Sequence, residues 1–141
     1  MKLGRVVGAL AVTVAFVGVG IAPASAYTCN SGMMCLWKDR SYSGTIIGRS
    51  GTVGSLGGTA LDNAASSAAT NGKSCRKTWW AGGYTNPTWD AYGFALWSEQ
   101  LTGSNYRDPN LSNGAGFYED APRGYNQNME DYISSWQFID C

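Results

Sequence analysis

Nucleophilic catalysis of the Ser-His-Asp or Cys-His kind cannot be assembled in this chain, because its 141 residues include no histidine. The same absence removes imidazole from the metal ligands on offer. Carboxylate pairs of the glycosidase type remain among Glu99, Glu119, Asp120 and Asp131. Ten acidic residues will always supply such pairs, and solvated loop charges account for these more simply. We therefore expect no enzyme. Recognition chemistry is better represented. The stretch from Trp79 to Tyr92 holds three of the six tryptophans amid glycine and proline. Exposed rings on a rigid scaffold grip the cleft of another protein or the face of a glycan. Trp79, Trp80, Tyr84, Trp89 and Tyr92 are the candidates. Trp89 is foremost, whereas Trp79 also suits a cap over an open end of the core.

Those residues need a scaffold, and the chain begins with a segment that is not part of it. Lys2 and Arg5 precede an uncharged run from Val6 to Ala22, followed by Pro23 and Ala24-Ser25-Ala26. A basic start, an apolar middle and an A-x-A ending predict a signal peptide over 1–26, cut after Ala26, and hence a secreted, extracellular protein. No later stretch is long and apolar enough to span a bilayer. Tyr27 to Cys141 keeps eight basic residues against ten acidic, which gives no reason to expect nucleic acid or an anionic membrane as partner. All four cysteines lie in this exported part, and an even number there reads as two disulfides. Of the three pairings we favour Cys29–Cys35, closing a tight loop, and Cys75–Cys141, closing a long one. Zinc is a poor alternative, since the spacing does not suit paired ligands.

The elements that position these residues are short strands. Cys35-Leu36-Trp37, Thr45-Ile46-Ile47, Phe94-Ala95-Leu96-Trp97 and Ile133 to Ile139 are apolar or aromatic runs separated by glycines at 44, 48, 51, 54, 57, 58, 82, 83, 114 and 116. No sustained i, i+3, i+4 pattern follows Ala26, so an all-β sandwich or barrel is predicted, with at most a helical turn or two near Leu61 to Ala69. A weak internal repeat accompanies the strands. Asp62-Asn63-Ala64-Ala65-Ser66-Ser67 resembles Glu130-Asp131-Tyr132-Ile133-Ser134-Ser135, each preceded by a Leu-Trp pair (Leu36-Trp37, Leu96-Trp97) and followed by a cysteine.

Trp37-Lys38-Asp39-Arg40-Ser41-Tyr42-Ser43-Gly44 resembles the folded-hairpin signature of the βγ-crystallins, with an aromatic, a second one five later and glycine two beyond it. Two rings pack across a bent hairpin, and glycine takes a conformation other residues resist. Asp62-Asn63-x-x-Ser66-Ser67 matches that family's calcium motif, N/D-N/D-x-x-S/T-S, at every defined position. The second half departs from the pattern at Glu130 and in a longer hairpin after Trp97, Ser98 to Arg107. The resemblance implies two Greek-key motifs packed as one domain over 27–141. The first spans 27–75, an aromatic insertion 76–93, and the second 94–141. It also implies calcium as a structural cofactor, an ion that takes six to eight oxygens at about 2.3–2.6 Å. The implied ligands are Asp62, Asn63, the Ala64 carbonyl and Ser66 in one site, and Asp131, the Tyr132 carbonyl and Ser134 in the other, each site borrowing from the partner motif.

The opening Cys29-Asn30-Ser31-Gly32-Met33-Met34-Cys35-Leu36-Trp37 is similar to the C-x-x-G-x-x-C-L-(aromatic) start of the small secreted peptidase inhibitors of actinobacteria, which themselves have the βγ-crystallin fold. That resemblance implies binding and blocking of a secreted protease, typically a metalloprotease, and we expect the protein to act as a monomer. The inhibitory loop would be Thr78 to Tyr92 or Phe117 to Tyr125, the latter carrying Ala121-Pro122-Arg123. Two alternatives are a non-catalytic module stacking its tryptophans on cell-wall polysaccharide and a calcium-stabilised, toxin-like or structural crystallin.

Overall fold

The strand Met34–Asp39 (β1) buries four successive residues because both of its faces are covered. Met34 and Leu36 point into the main core, while Cys35 and Trp37 point into a second cluster, as the period of two in a strand requires. A strand buried on both sides reads in sequence as a continuous apolar run. In the computed structural model, which describes residues 27–75, 77–81, 93–116 and 126–141, β1 pairs antiparallel with Ser43–Arg49 (β2) on one side and Ser67–Thr70 (β3) on the other. The small residues of β3 let it lie between two packed layers, with Ala68 in the main core and Ala69 in the second cluster. A second sheet has Lys77–Ala81 (β4) at its centre, flanked by Gly93–Trp97 (β5) and Ser135–Ile139 (β7). A single helical turn, Glu99–Thr102 (α1), leads from β5 to the short strand Arg107–Asp108 (β6).

The two sheets exchange strands. β6 belongs by sequence to the second half, yet it pairs with β3 and makes the first sheet β2-β1-β3-β6. Val53 belongs to the first half and bridges Trp136 of β7, each residue's N–H donating to the other's carbonyl at 3.0 and 2.9 Å. Between the sheets lie Met34, Leu36 and Ala68 from one side and Trp80, Phe94, Leu96 and Trp136 from the other. Leu56, Leu61, Leu111, Met129 and Ile133 fill in from the connections. This is the all-β, two-motif sandwich expected from the sequence, and the favoured disulfides Cys29–Cys35 and Cys75–Cys141 are both present.

The register between halves corrects the sequence reading in four places. Trp37 lies opposite Ser67, and Ala81 lies opposite Ser135, so β4 is the counterpart of β1. The stretch 76–93, expected as an insertion, therefore contains the central strand of the second sheet. Leu96-Trp97 closes β5, the counterpart of β2, and does not open the second half. The segment Ser98 to Arg107 carries α1 and not a longer folded hairpin, and the helical turns expected near Leu61 to Ala69 give way to turns and β3. Trp80, a candidate for recognition, is 0 % exposed. It stacks on Phe94 at 6.0 Å and meets Trp136 edge-on at 5.4 Å, so it presents no surface. The β4 side chain of Trp79 lies outside what the structure describes, as do residues 1–26, Tyr84, Trp89, Tyr92 and Arg123.

The β1–β2 hairpin folds over as its aromatics predict. Tyr42 is buried and packs edge-on against Trp37 at 5.3 Å. Tyr27 adds a third ring 5.0 Å from Tyr42, and its hydroxyl donates to Glu99 at 3.0 Å. Burial pushes the Tyr42 phenol up to about 12, and burial together with Glu99 raises that of Tyr27 further. The bend places Ser41 and Tyr42 at φ of 56° and 60° and Gly44 at 74°. A side chain at Gly44 would have to displace the exposed Asp39 carboxylate, and the position favours glycine chiefly for its φ. Fully buried Ser67 locks the bend. Its hydroxyl donates to the Asp39 carbonyl at 2.8 Å and accepts from the Tyr42 N–H at 3.2 Å.

Ser67→Ala removes both of those hydrogen bonds in a buried place, and denaturant unfolding should report a loss of about 1–3 kcal/mol. Replacing Cys75 and Cys141 together by serine opens a loop whose ends are 66 residues apart. The chain-entropy relation sets the expected loss at about 4 kcal/mol, read from the same unfolding curves.

Candidate functional site

The strand exchange brings the two repeated loops face to face. Asn63 donates its N–H to the Ile133 carbonyl at 2.9 Å, and Asp131, its counterpart, donates to the Ala65 carbonyl at 3.0 Å. Leu56 N–H meets the Ser134 carbonyl at 2.7 Å, and Leu111 N–H meets the Ser66 carbonyl at 3.0 Å. Asn63 and Asp131 share the left-handed conformation, with φ of 50° and 56°. Asn and Asp tolerate that region better than other residues carrying a side chain, which accounts for the residue type at this point of both loops. Buried Leu61 and Met129 anchor the loops from beneath at equivalent places.

The residues of the expected ligand sets meet across the two halves. The reading from the motifs put Ser66 with Asp62, and Ser134 with Asp131. In the structure each serine meets the acidic residue of the other half. Ser134 Oγ lies 2.6 Å from Asp62 Oδ1 and 2.9 Å from Asn63 Oδ1, so one hydroxyl proton is shared between two acceptors. Asn63 Nδ2 is 3.4 Å from the same Asp62 oxygen. Three side-chain oxygens thus converge with a single carboxylate charge among them. Ala64 and Tyr132, whose carbonyls completed the expected sets, follow Asn63 and Asp131 at equivalent positions.

The opposite loop has a different occupant. The Ser66 hydroxyl donates to Glu130, and so does Arg40 from the folded hairpin, its Nε to Oε1 at 3.1 Å and its Nη2 to Oε2 at 2.8 Å. The guanidinium holds the Glu130 carboxyl below the usual carboxylate range, and Glu130 in turn raises Arg40. The pair is open to water, with the Arg40 side chain 54 % exposed and that of Glu130 23 %. Arg40 was absent from the expected site. The signal that could have found it is the departure of Glu130 from the calcium motif, which calls for a counter-charge, together with a basic residue at the tip of the opposite hairpin.

At the Asp62 loop the donor set suits an oxygen-seeking ion. Carboxylate, amide and hydroxyl oxygens there are the hard ligands calcium takes, and the group contains no cation. Among the described residues no cluster of three or more His, Cys, Asp or Glu side chains forms, so any ion would draw on neutral oxygens as well. Of the carboxylates considered for catalysis, Glu99 is engaged by the Tyr27 hydroxyl, Asp131 is exposed, and Glu119 and Asp120 lie outside the described residues.

Comparison with known proteins places this architecture. A solved βγ-crystallin from Ciona intestinalis covers 76 % of this chain and 99 % of its own, with 16 % identity and a TM-score of 0.49. A structure reported on the evolution of the eye-lens βγ-crystallin domain fold covers 80 % of this chain and 91 % of its own, with 15 % identity and a TM-score of 0.53. At such identities the latter likeness is one of fold, and the fold is that of the βγ-crystallins. No curated protein matches the chain. The peptidase inhibitor family I36 matches over residues 22–92, half of the chain, from before the Cys29–Cys35 loop to the start of β5. The chain accordingly belongs to peptidase inhibitor family I36, whose members bind peptidases rather than act as enzymes.

Proposed function

We propose that this protein is an exported inhibitor of a secreted peptidase, presenting the connection between β4 and β5 to the target's active-site cleft. The family match carries the reading, because it spans residues 22–92 and stops at the end of that connection. It includes the Thr78 to Tyr92 candidate and leaves out Phe117 to Tyr125 with Arg123. β4 and β5 pair over five positions, Lys77 with Trp97 through Ala81 with Gly93, so both ends of the 82–92 segment are anchored in sheet. Cys75–Cys141 staples the entry to β4 onto the C-terminus. Anchored ends restrict where such a segment can go, and inhibitors on stiff scaffolds reach high affinity by losing little entropy on binding. Export through the 1–26 signal is part of the reading, since two disulfides need an oxidising compartment.

Calcium is proposed as a structural ion at Asp62, Asn63 and Ser134. It would tie the two halves together, stabilising the folded state by mass action. The glycan-binding alternative is weakened by Trp80, which is spent in the core.

Titration of the oxidised, exported protein into a thermolysin-like metalloprotease and a subtilisin-like serine protease tests the inhibitor reading. Stoichiometric loss of metalloprotease activity with the inhibitor left uncleaved is expected, and Trp89→Ala should weaken inhibition while Arg123→Ala should not. Full activity of both enzymes at micromolar protein would sink the reading.

A further inference from the structure

Backbone equivalence and charge inequality meet in the two facing loops. Asp62 and Asn63 meet Ser134 with no cation among them. Glu130, at the position equivalent to Asp62, meets Ser66 and is already gripped by Arg40 through two contacts of 3.1 and 2.8 Å. We infer that Arg40 is the resident cation of the second loop, its guanidinium taking the place against Glu130 that a calcium ion would need, so that the chain binds calcium at the Asp62 loop alone.

Three observations carry this. A guanidinium presents a planar fork that matches a carboxylate oxygen for oxygen, and both oxygens of Glu130 are used by it. Glutamate has one methylene more than aspartate, which lets its carboxylate reach out of the loop to the hairpin. The approach of Arg40 is itself fixed by the folded hairpin. Its carbonyl accepts from Ser43 Oγ at 2.8 Å, and the next N–H, that of Ser41, donates to the Pro109 carbonyl at 2.9 Å. The Arg40 main chain is thus pinned on both sides, and only the side chain is left to reach Glu130.

The equivalent segment of the other half carries no such cation. Ala81 occupies the register position of Trp37, so the residues that follow Ala81 correspond to the hairpin that carries Arg40. From Gly82 to Tyr92 that segment includes neither lysine nor arginine. An exposed ion pair contributes little to stability. Its consequence here is electrostatic, because it cancels the charge of Glu130 that would draw a divalent ion.

Only the count of ions on the unaltered protein rests on the calcium reading of the Asp62 loop. Isothermal titration calorimetry with calcium chloride, on the oxidised exported protein and on variants whose circular dichroism matches it, separates the two claims. One ion per chain is expected for the parent, and one more for Arg40→Ala. Glu130→Gln alone should leave the parent count unchanged, and adding it to Arg40→Ala should abolish the gain. Two ions on the parent, no gain on Arg40→Ala, or an ion lost on Glu130→Gln would overturn the inference. A parent that binds none beside an Arg40→Ala variant that binds one would remove the Asp62 reading and leave the role of Arg40 standing. No binding by either would remove both.

Discussion

The two halves of this chain are joined through their sheets, the first taking β6 from the second half and the second bridged at Trp136 by Val53 of the first. Buried backbone groups must find hydrogen-bond partners; β3 and β7 find them on one edge within their own halves, at β1 and β4, and on the other edge across the pseudo-twofold, at Arg107–Asp108 and at Val53. The loops that lead into β3 and β7 are forced side by side, and the four reciprocal backbone bonds around Asn63, Asp131, Ser66 and Ser134 hold them there. The contacts of Ser134 with Asp62 and of Ser66 with Glu130 follow from this facing arrangement.

On that symmetric frame the chemistry has diverged. One loop gathers three uncompensated oxygens, and the other holds an arginine. The hairpins have diverged too. Between β1 and β2 lie three residues, bent tightly over Trp37 and locked by Ser67, whereas eleven residues separate β4 from β5. A short locked hairpin serves the frame, and the longer connection between paired strands is the one we propose for recognition. The second disulfide fastens this working half at its two ends, before β4 and after β7.

Much of the fold was legible from residue spacing, because its constraints are local. Trp37, Tyr42 and Gly44 mark a bent hairpin that steric and ring-packing rules allow few ways to build, and the serine pairs mark where each half returns. The boundary between halves was harder. Leu36-Trp37 and Leu96-Trp97 look alike as dipeptides, yet the former faces two packed layers in the first strand of its half and the latter ends the second strand. Only the cross-strand register, Ala81 against Ser135, tells them apart, and register is a long-range property. Trp80 misled for a related reason. A tryptophan between glycines and polar residues reads as loop, and the neighbours that bury it, Phe94 and Trp136, are 14 and 56 residues away. The Arg40–Glu130 pair joins residues 90 apart and left its trace only as a misfit in a motif.

The central claim, that a strand-exchanged frame offers its β4–β5 connection to a peptidase, is tested most directly by hydrogen–deuterium exchange of the oxidised protein with and without an inhibited target. Protection on binding that is confined to peptides covering 82–92 and the adjoining ends of β4 and β5 is the predicted result. Protection that falls instead on 117–125, or on the exposed edge of β2, with 82–92 unchanged, would contradict the account.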